Sequence, residues 1–168
     1  MADEQPTQPV RGHQGLRLLV TLGVGLWPGA PGTYASILVA VLAWAWLILG
    51  GAPLAGPWYG LAGLGLTGLA VASADRAVRL GILGPDPDPG AIVIDEAVGM
   101  LLALYGCASP GWPLWAALAA FRVFDIAKPW PVGWSQRLPG GWGIVADDVL
   151  AGLYALAVAR LLGWLLGF

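Results

Sequence analysis

The longest uncharged stretch of this chain limits what it can fold into: no Asp, Glu, Lys or Arg stands between Arg17 and Asp75. A helix that crosses a membrane needs about 20 consecutive apolar residues, so the stretch is long enough for two such helices. We predict helices at about residues 34–50 and 58–74. The connector, residues 51–57, carries the glycines and prolines of a turn, and the two helices therefore form a candidate hairpin.

The composition indicates an apolar environment as well. Of the 168 residues, 58% are hydrophobic and 11% are charged, whereas about 25% are charged in an ordinary soluble domain. The ten tryptophans suit an interface between lipid and water. A soluble bundle is the alternative, because buried helices are also apolar on every side. We predict an all-α fold, namely a compact, membrane-associated helical bundle with long apolar helices.

The chain is expected to form one domain behind a short tail. Residues 1–14 are polar and lack the apolar run of a secretory signal, so we interpret them as a flexible tail. Residues 15–168 then form a single helical domain. Cys107 is the only cysteine, which excludes an intrachain disulfide and a zinc site formed by several cysteines. A net charge of -2 without a basic run argues against a nucleic-acid partner, and the oligomeric state is left open.

Two apolar stretches follow in the second half of the chain. Residues 97–121 are uncharged, but a Ser-Pro-Gly sequence at 109–111 divides them into segments of roughly a dozen residues, which are short for a full crossing. We predict buried helices or a shallow re-entrant pair there. Residues 149–168 are apolar apart from Arg160, and they either span a membrane or close a bundle.

Two pairs of adjacent acids are the clearest chemical pattern. Asp95 and Glu96 begin one predicted apolar helix, and Asp147 and Asp148 begin the last one. One pair is explained by the preference of acids for helix N-termini, but the repeated pattern is harder to explain in this way. Four carboxylates held together would raise one another's pKa unless a cation neutralised them. Oxygen ligands without His or Cys suit Mg²⁺, and we predict that these acids bind it.

Two further segments could hold an anion. The loop before the first long helix contains Gly29 and Gly32, which let backbone N–H groups approach a ligand, and Thr33, which stands where a helix cap is expected. A plain turn is the commoner meaning of such a loop. The second segment, residues 121–129, interrupts apolar sequence with charges, which are costly there and more often functional than exposed charges.

The spacing within this charged segment predicts its local structure. Arg122 and Asp125 are three residues apart, so on a helix they share a face and can pair. Lys128 precedes Pro129, which biases Lys128 away from helical geometry and ends the helix. Two cations beside five acids suit a metal ion together with a phosphate group.

Taken together, residues 28–33, 92–100, 121–129 and 140–152 resemble the motifs of the phosphatidylglycerophosphatase A family, in order and in spacing. The resemblance covers about residues 20–155. It implies an all-helical, Mg²⁺-dependent enzyme that hydrolyses phosphatidylglycerophosphate to phosphatidylglycerol and inorganic phosphate in glycerophospholipid biosynthesis. It also implies a site at the cytoplasmic side of the bacterial inner membrane. Many relatives have a glycine at the position of Ala35 and a methionine at that of Val145, and neither departure removes a charge.

The residues and the resemblance together lead to one hypothesis for the site. The partners are a phospholipid substrate and a membrane, and the cofactor is Mg²⁺. Adjacent helical residues point about 100° apart, so one acid of each pair is left open as an indirect contributor. The catalytic residues are Asp95, Glu96, Asp125, Asp147 and Asp148; the metal ligands are Asp95, Glu96, Asp147 and Asp148; the phosphate-binding residues are Gly29, Gly32, Thr33, Arg122 and Lys128.

Other phosphatase chemistries lack the residues they need. A cysteine nucleophile requires an Arg soon after it, but Cys107 is followed by Ala-Ser-Pro, and a histidine nucleophile would have only His13. Asp86 and Asp88 superficially resemble the paired aspartates of haloacid-dehalogenase-type phosphatases, but the prolines around them indicate a turn. Two alternative functions are left open. The first is another membrane lipid phosphotransferase, although the spaced aspartates of a CDP-alcohol transferase are missing. The second is a non-enzymatic small membrane carrier.

The distribution of charge predicts an orientation. If the first hairpin crosses the membrane and returns, the basic residues from Arg11 to Arg137 lie on one face together with most of the acids. By the positive-inside tendency, that face is cytoplasmic. We therefore expect a polar site on one side of a hydrophobic body.

Overall fold

The computed structural model describes residues 13–86 and 88–166, and every regular element in these ranges is a helix, which confirms the predicted all-α class. Residues 1–12 of the predicted tail lie outside the described residues, and the first helix already begins at Gln14. A 3-10 turn at Val24–Leu26 separates the first two helices. The helices are α1 (Gln14–Thr21), α2 (Pro31–Ile48), α3 (Pro57–Arg79), α4 (Ile94–Ala103), α5 (Trp112–Ala127), α6 (Val132–Ser135) and α7 (Gly141–Leu165).

Helices α2 and α3 are the two predicted apolar helices, and both are long and apolar enough to cross a membrane. They do not pack closely against each other as a hairpin pair, because both contact α4 instead. Each begins with a proline, which fits the first helical position because its missing N–H is not needed there. Helix α3 continues beyond the predicted end at residue 74. An ion pair between Asp75 and Arg79, 2.8 Å apart at a spacing of four residues, supports this additional turn.

The large apolar side chains of α2 and α3 face outward. Only 28% of the most apolar 18-residue stretch of each helix is buried. Leu42, Trp46, Trp58 and Leu64 are exposed. A core helix of a soluble bundle would bury such side chains, because exposed apolar surface is unfavourable in water. The arrangement therefore favours association with a membrane over the soluble alternative.

The centre of the bundle is the contact between α4 and α7. Gly99 on α4 and Gly152 on α7 lie where the two backbones meet: a Cβ atom on Gly152 would overlap the carbonyl oxygen of Gly99, and one on Gly99 would overlap the carbonyl oxygen of Asp148. Glycines at such positions let two helices approach closely. Phe121 of α5 packs against the same contact and is fully buried.

Helix α7 begins earlier than the acid pair suggests, at Gly141. Asp147 and Asp148 therefore lie in its second turn, and the interpretation of this pair as the acids that begin the helix is wrong. The N-terminus of α7 is stabilised from another helix, because the Gly141 N–H donates to Asp75 Oδ1 at 3.3 Å. A side chain at Gly141 would overlap the backbone of α3, so this helix start requires a glycine.

The expected cap of α2 is also different. The helix begins at Pro31 with Ala30 at the cap position, so Thr33 lies in the first turn rather than at the cap. The predicted end of α5 is confirmed, since this helix ends at Ala127 and Lys128 has a left-handed backbone with φ of 43°.

Most of the charged residues collect at one end of the bundle, which we call the site end, whereas Arg160 contacts Tyr105 at the other end. Helices α2, α4 and α7 begin there, and α3 and α5 end there, as shown by the contacts of Gly32 with Glu96, of Asp75 with Gly141 and of Lys128 with Asp147. The opposite end is closed by backbone hydrogen bonds. The Leu54 N–H donates to the Cys107 carbonyl at 2.9 Å, and the Gly106 N–H donates to the Leu54 carbonyl at 2.6 Å.

The contact between α4 and α7 predicts the effect of a small substitution. Gly→Ala normally favours an exposed helix by about 1 kcal/mol. At Gly152 the added methyl group meets the Gly99 carbonyl, and we expect Gly152→Ala to lower the free energy of unfolding by about 1–3 kcal/mol. Gly65→Ala is the control, because nothing lies within 4 Å of a Cβ atom at that helical position. Denaturant unfolding in detergent measures both. Equal stability of the two variants would contradict the close contact.

Candidate active site

Three carboxylates meet at the site end of the α4–α7 contact. Asp95 and Glu96 lie in the first turn of α4, and Asp148 lies in the second turn of α7. Each offers one oxygen atom, and these oxygens lie within 4.8 Å of one another. Asp95 precedes Gly99 by four residues, and Asp148 precedes Gly152 by four, so each acid shares a helix face with the glycine of the contact. The close backbone contact therefore positions the acids.

Several oxygens of this cluster are buried without a partner. Asp95 is 7% exposed and Asp148 is 4% exposed. Asp95 Oδ1, Glu96 Oε2 and Asp148 Oδ1 accept no hydrogen bond from the described residues. A buried carboxylate without compensation is costly, and a divalent cation would provide that compensation. A set of oxygen ligands fits a hard cation such as Mg²⁺. The residues present therefore fit a metal ion.

The electrostatics agree with this conclusion. Burial raises the pKa of Asp95 well above its usual range, and the charges of Glu96 and Asp148 raise it further. Burial is also the main cause of the raised pKa of Asp148, followed by the charges of Glu96 and Asp125. These carboxyl groups therefore retain protons more strongly than isolated ones in the absence of a cation, as the sequence predicts.

Asp147, the fourth predicted ligand, lies beside the three others. Its Oδ2 accepts hydrogen bonds from Lys128 Nζ at 2.7 Å and from Gln136 Nε2 at 2.9 Å. The residue is 4% exposed, and its Oδ1 accepts no hydrogen bond from the described residues. Asp147 thus orients the cation of Lys128 next to the carboxylate cluster, and its assignment as a metal ligand stays a prediction.

Helix α5 brings a second cation to the cluster. Arg122 Nη1 pairs with Asp125 Oδ2 at 2.5 Å, as the spacing predicts, and donates a longer hydrogen bond of 3.4 Å to Ser36 Oγ. Arg122 Nε is buried and donates no hydrogen bond to the described residues. One donor of a positioned guanidinium group is thus left for a ligand. A guanidinium group with a free donor suits the oxygens of a phosphate.

The predicted phosphate loop reaches the acids through one of its glycines. A Cβ atom on Gly32 would overlap Glu96 Oε1, so a side chain at this position would displace the Glu96 carboxylate from the cluster. The hydroxyl of Ser36 donates to the Gly32 carbonyl at 2.8 Å. Gly29 lies farther out in the exposed loop, beside the hydroxyl of Tyr34. Phosphate binding by Gly29, Gly32 and Thr33 stays a prediction.

Two residues of the site were not predicted. Ser36 lies between Gly32 and Arg122, and the sequence carries a usable indication of it, because Ser36 is a polar residue inside a long apolar helix. Gln136 holds Asp147 from the segment between α6 and α7. A glutamine in a polar segment forms no pattern, so sequence reasoning could not select it.

Comparison with known proteins agrees with the site. A family model for phosphatidylglycerophosphatase A matches residues 18–163. The chain is 35% identical over 162 residues to a phosphatidylglycerophosphatase A of Haemophilus influenzae, with 94% of both chains covered. It is 32% identical to the phosphatidylglycerophosphatase A of Escherichia coli, with 89% of this chain and 85% of the relative covered.

A third relative carries a different name. The chain is 32% identical to a putative phosphatidylinositol-3-phosphatase of Bacteroides thetaiotaomicron, with 86% of this chain and 91% of the relative covered. No solved structure matches the chain significantly. The family model and the relatives confirm that the protein is a phosphatase. The chain therefore belongs to the phosphatidylglycerophosphatase A family, as its four motifs predict.

Proposed function

We propose that this protein is a Mg²⁺-dependent phosphatase that hydrolyses phosphatidylglycerophosphate to phosphatidylglycerol and inorganic phosphate in glycerophospholipid biosynthesis. One observation carries the proposal within this family. Buried Asp95 and Asp148 and half-buried Glu96 have unpartnered oxygens, and two positioned cations, Arg122 and Lys128, lie near them at one end of a largely apolar body. Such a site suits a metal ion and a phosphate group on a lipid.

The acids would hold the metal ion. Asp95, Glu96 and Asp148 are the ligands that the geometry supports, and Asp147 is the fourth candidate beside them. When bound, Mg²⁺ supplies a Lewis acid that polarises phosphate oxygens and lowers the pKa of a water molecule. Hydrolysis by water needs no covalent intermediate on an Asp or on Thr33.

The two cations would bind and orient the phosphate. Arg122 is fixed by Asp125 and Ser36, and its free Nε points to a role in holding a phosphate oxygen. Lys128 is fixed by Asp147 in the same way. Cations that are already in place stabilise the charge that develops on the phosphate oxygens, because they need little reorganisation during the reaction. Backbone N–H groups of Gly29, Gly32 and Thr33 would complete the phosphate contacts.

The two apolar helices would place this site at a membrane. Helices α2 and α3 would cross the bacterial inner membrane, with their exposed apolar side chains against lipid. The site end carries Arg76, Arg79, Arg122 and Lys128, and the positive-inside tendency makes this end cytoplasmic. The headgroup phosphate of a cytoplasmic-leaflet lipid would then reach the acids while the lipid tails stay beside these helices.

Substrate choice tests the function directly. Phosphate release in mixed micelles should be most efficient with phosphatidylglycerophosphate and much weaker with soluble glycerol 3-phosphate, because the tails position the reacting group. The name of the Bacteroides relative makes phosphatidylinositol 3-phosphate the second lipid to test. Catalytic efficiency on the soluble ester equal to that on the lipid would contradict the proposal, and so would a clear preference for the inositol lipid.

Charge removal at the acids tests the metal site. We expect Asp95→Asn and Asp148→Asn each to reduce kcat by about 100-fold or more, and chelation of divalent ions to abolish turnover until Mg²⁺ is restored. Mg²⁺ should raise the Tm of the wild type but not of Asp148→Asn. This rise should be smaller in mildly acidic buffer, because the raised pKa values make protons compete with the cation. Asp86→Asn is the control, since Asp86 is exposed and lies outside the cluster. Wild-type turnover in Asp148→Asn, or turnover without any divalent ion, would contradict the metal site.

Cysteine labelling in intact cells tests the orientation. With Cys107 replaced by Ser, cysteines are introduced singly as Asp86→Cys near the site end and Ala52→Cys in the connector, both at exposed positions. An impermeant thiol reagent should label the connector position first and reach the other position only after the membrane is permeabilised. Labelling of both positions from the same side would show that α2 and α3 do not cross.

A further inference from the structure

A cavity lies near the proposed phosphate-binding residues. It has a volume of about 320 Å³ and lies between the end of α3, the loop that contains Asp88, and the start of α7. Gln136 lines this cavity and also donates to Asp147 Oδ2, the oxygen that pairs with Lys128. The cavity is therefore linked through Gln136 and Asp147 to Lys128, the cation that would hold the phosphate.

The two carboxylates that line the cavity differ in whether they already have partners within the protein. Asp75 Oδ2 pairs with Arg79, and Asp75 Oδ1 accepts the N–H of Gly141. Asp88, by contrast, forms no ion pair with the described residues, and its backbone N–H donates to Asp86 Oδ1 at 2.9 Å. Asp88 therefore offers a carboxylate to a ligand in the cavity.

The charges of the site act on Asp88, although this residue is exposed. Partial burial of the carboxyl group is the main cause of its raised pKa, the charge of Asp147 raises the pKa further, and the charge of Lys128 lowers it. A ligand that extends from Asp88 along the cavity to Gln136 would approach Asp147 and its partner Lys128.

The lining determines what kind of group fits. Among the described residues, neither Lys nor Arg lines the cavity, so a second phosphate group would meet there only the negative charges of Asp75 and Asp88. Apart from Gln136, the other side chains of the lining are apolar, namely Val78, Leu138 and Ile144. An uncharged carbon skeleton with a hydroxyl group suits such a pocket, because the hydroxyl can donate to the carboxylate while the carbons contact the apolar side chains.

We propose that this cavity holds the glycerol unit next to the scissile phosphate, with Asp88 accepting a hydrogen bond from its free hydroxyl group. The proposal rests on the proposed function and extends it, because it makes Asp88 a residue that determines headgroup specificity. The hydroxyl lies on the carbon next to the phosphate ester, which matches a cavity that is linked through Gln136 and Asp147 to Lys128.

A substrate analogue isolates this hydrogen bond. Purified protein in mixed micelles is compared on phosphatidylglycerophosphate and on the same lipid with a 1,3-propanediol phosphate headgroup, which lacks only the free hydroxyl. The wild type should prefer the natural headgroup in kcat/KM by roughly 10-fold, because the natural headgroup donates a hydrogen bond to the charged Asp88 carboxylate and the analogue cannot. Asp88→Ala should abolish this preference, mainly by lowering kcat/KM on the natural lipid.

Two matched variants complete the experiment. Asp86→Asn changes the net charge by the same amount in the same loop and retains an acceptor for the Asp88 N–H, so the preference should persist. Leu138→Trp fills the cavity without changing the charge, and it should reduce the preference as Asp88→Ala does. The Tm of each variant shows that the fold is retained.

Four results would overturn the proposal. The first is a wild type without preference between the two lipids, and the second is an Asp88→Ala variant that keeps the preference. The third is an equal loss on both lipids, and the fourth is a raised Mg²⁺ requirement in Asp88→Ala, which would indicate a second cation site instead. If the wild type releases phosphate equally well from the two lipids, the phosphatase function stands and only the glycerol pocket is contradicted. If it releases phosphate from neither lipid, the phosphatase function and the glycerol pocket are both contradicted.

Discussion

The contact between the backbones of α4 and α7 is the constraint on which the other features depend. It requires glycine at residues 99 and 152, because any side chain there would overlap the opposite backbone. Each glycine lies one helical turn after an acid, so the distance between the helices also sets the distance between Asp95 and Asp148. The contact between α4 and α7 therefore determines both the packing of the bundle and the geometry of the proposed metal site. A change that separates the helices would enlarge the metal site even if every acid were retained.

The site end contains more buried negative charge than its cations can balance. Lys128 and Arg122 each pair with an aspartate, and both pairs lie beside the three-carboxylate cluster rather than within it. The aspartates thereby orient the cations, and the cluster itself keeps unpartnered oxygens. This division suits catalysis, because positioned cations and a vacant set of oxygen ligands are complementary to an anion and a metal ion respectively. Stability of the folded chain alone would favour the opposite arrangement, with every carboxylate paired.

Local patterns in the sequence predicted much of this arrangement. The uncharged stretch located the two long apolar helices, the three-residue spacing located the Arg122–Asp125 pair, and the proline after Lys128 located the end of α5. Features that depend on distant contacts were missed. The early start of α7 depends on Asp75, which is 66 residues away along the chain, and glycines at a helix start otherwise resemble a turn. Gln136 was missed for the same reason, since its role comes from its position next to Asp147 and from no local pattern.

The outward-facing apolar surface of α2 and α3 has a consequence for how the enzyme would encounter its substrate. In the proposed orientation, a lipid in the same leaflet would approach by lateral diffusion in two dimensions and would reach the site end without leaving the bilayer. The product differs only in its headgroup, so it also stays in the membrane, and only inorganic phosphate enters the aqueous phase. The concentration that governs the reaction is then the mole fraction of substrate among the surrounding lipids, and the volume of the aqueous compartment has no direct effect on the rate.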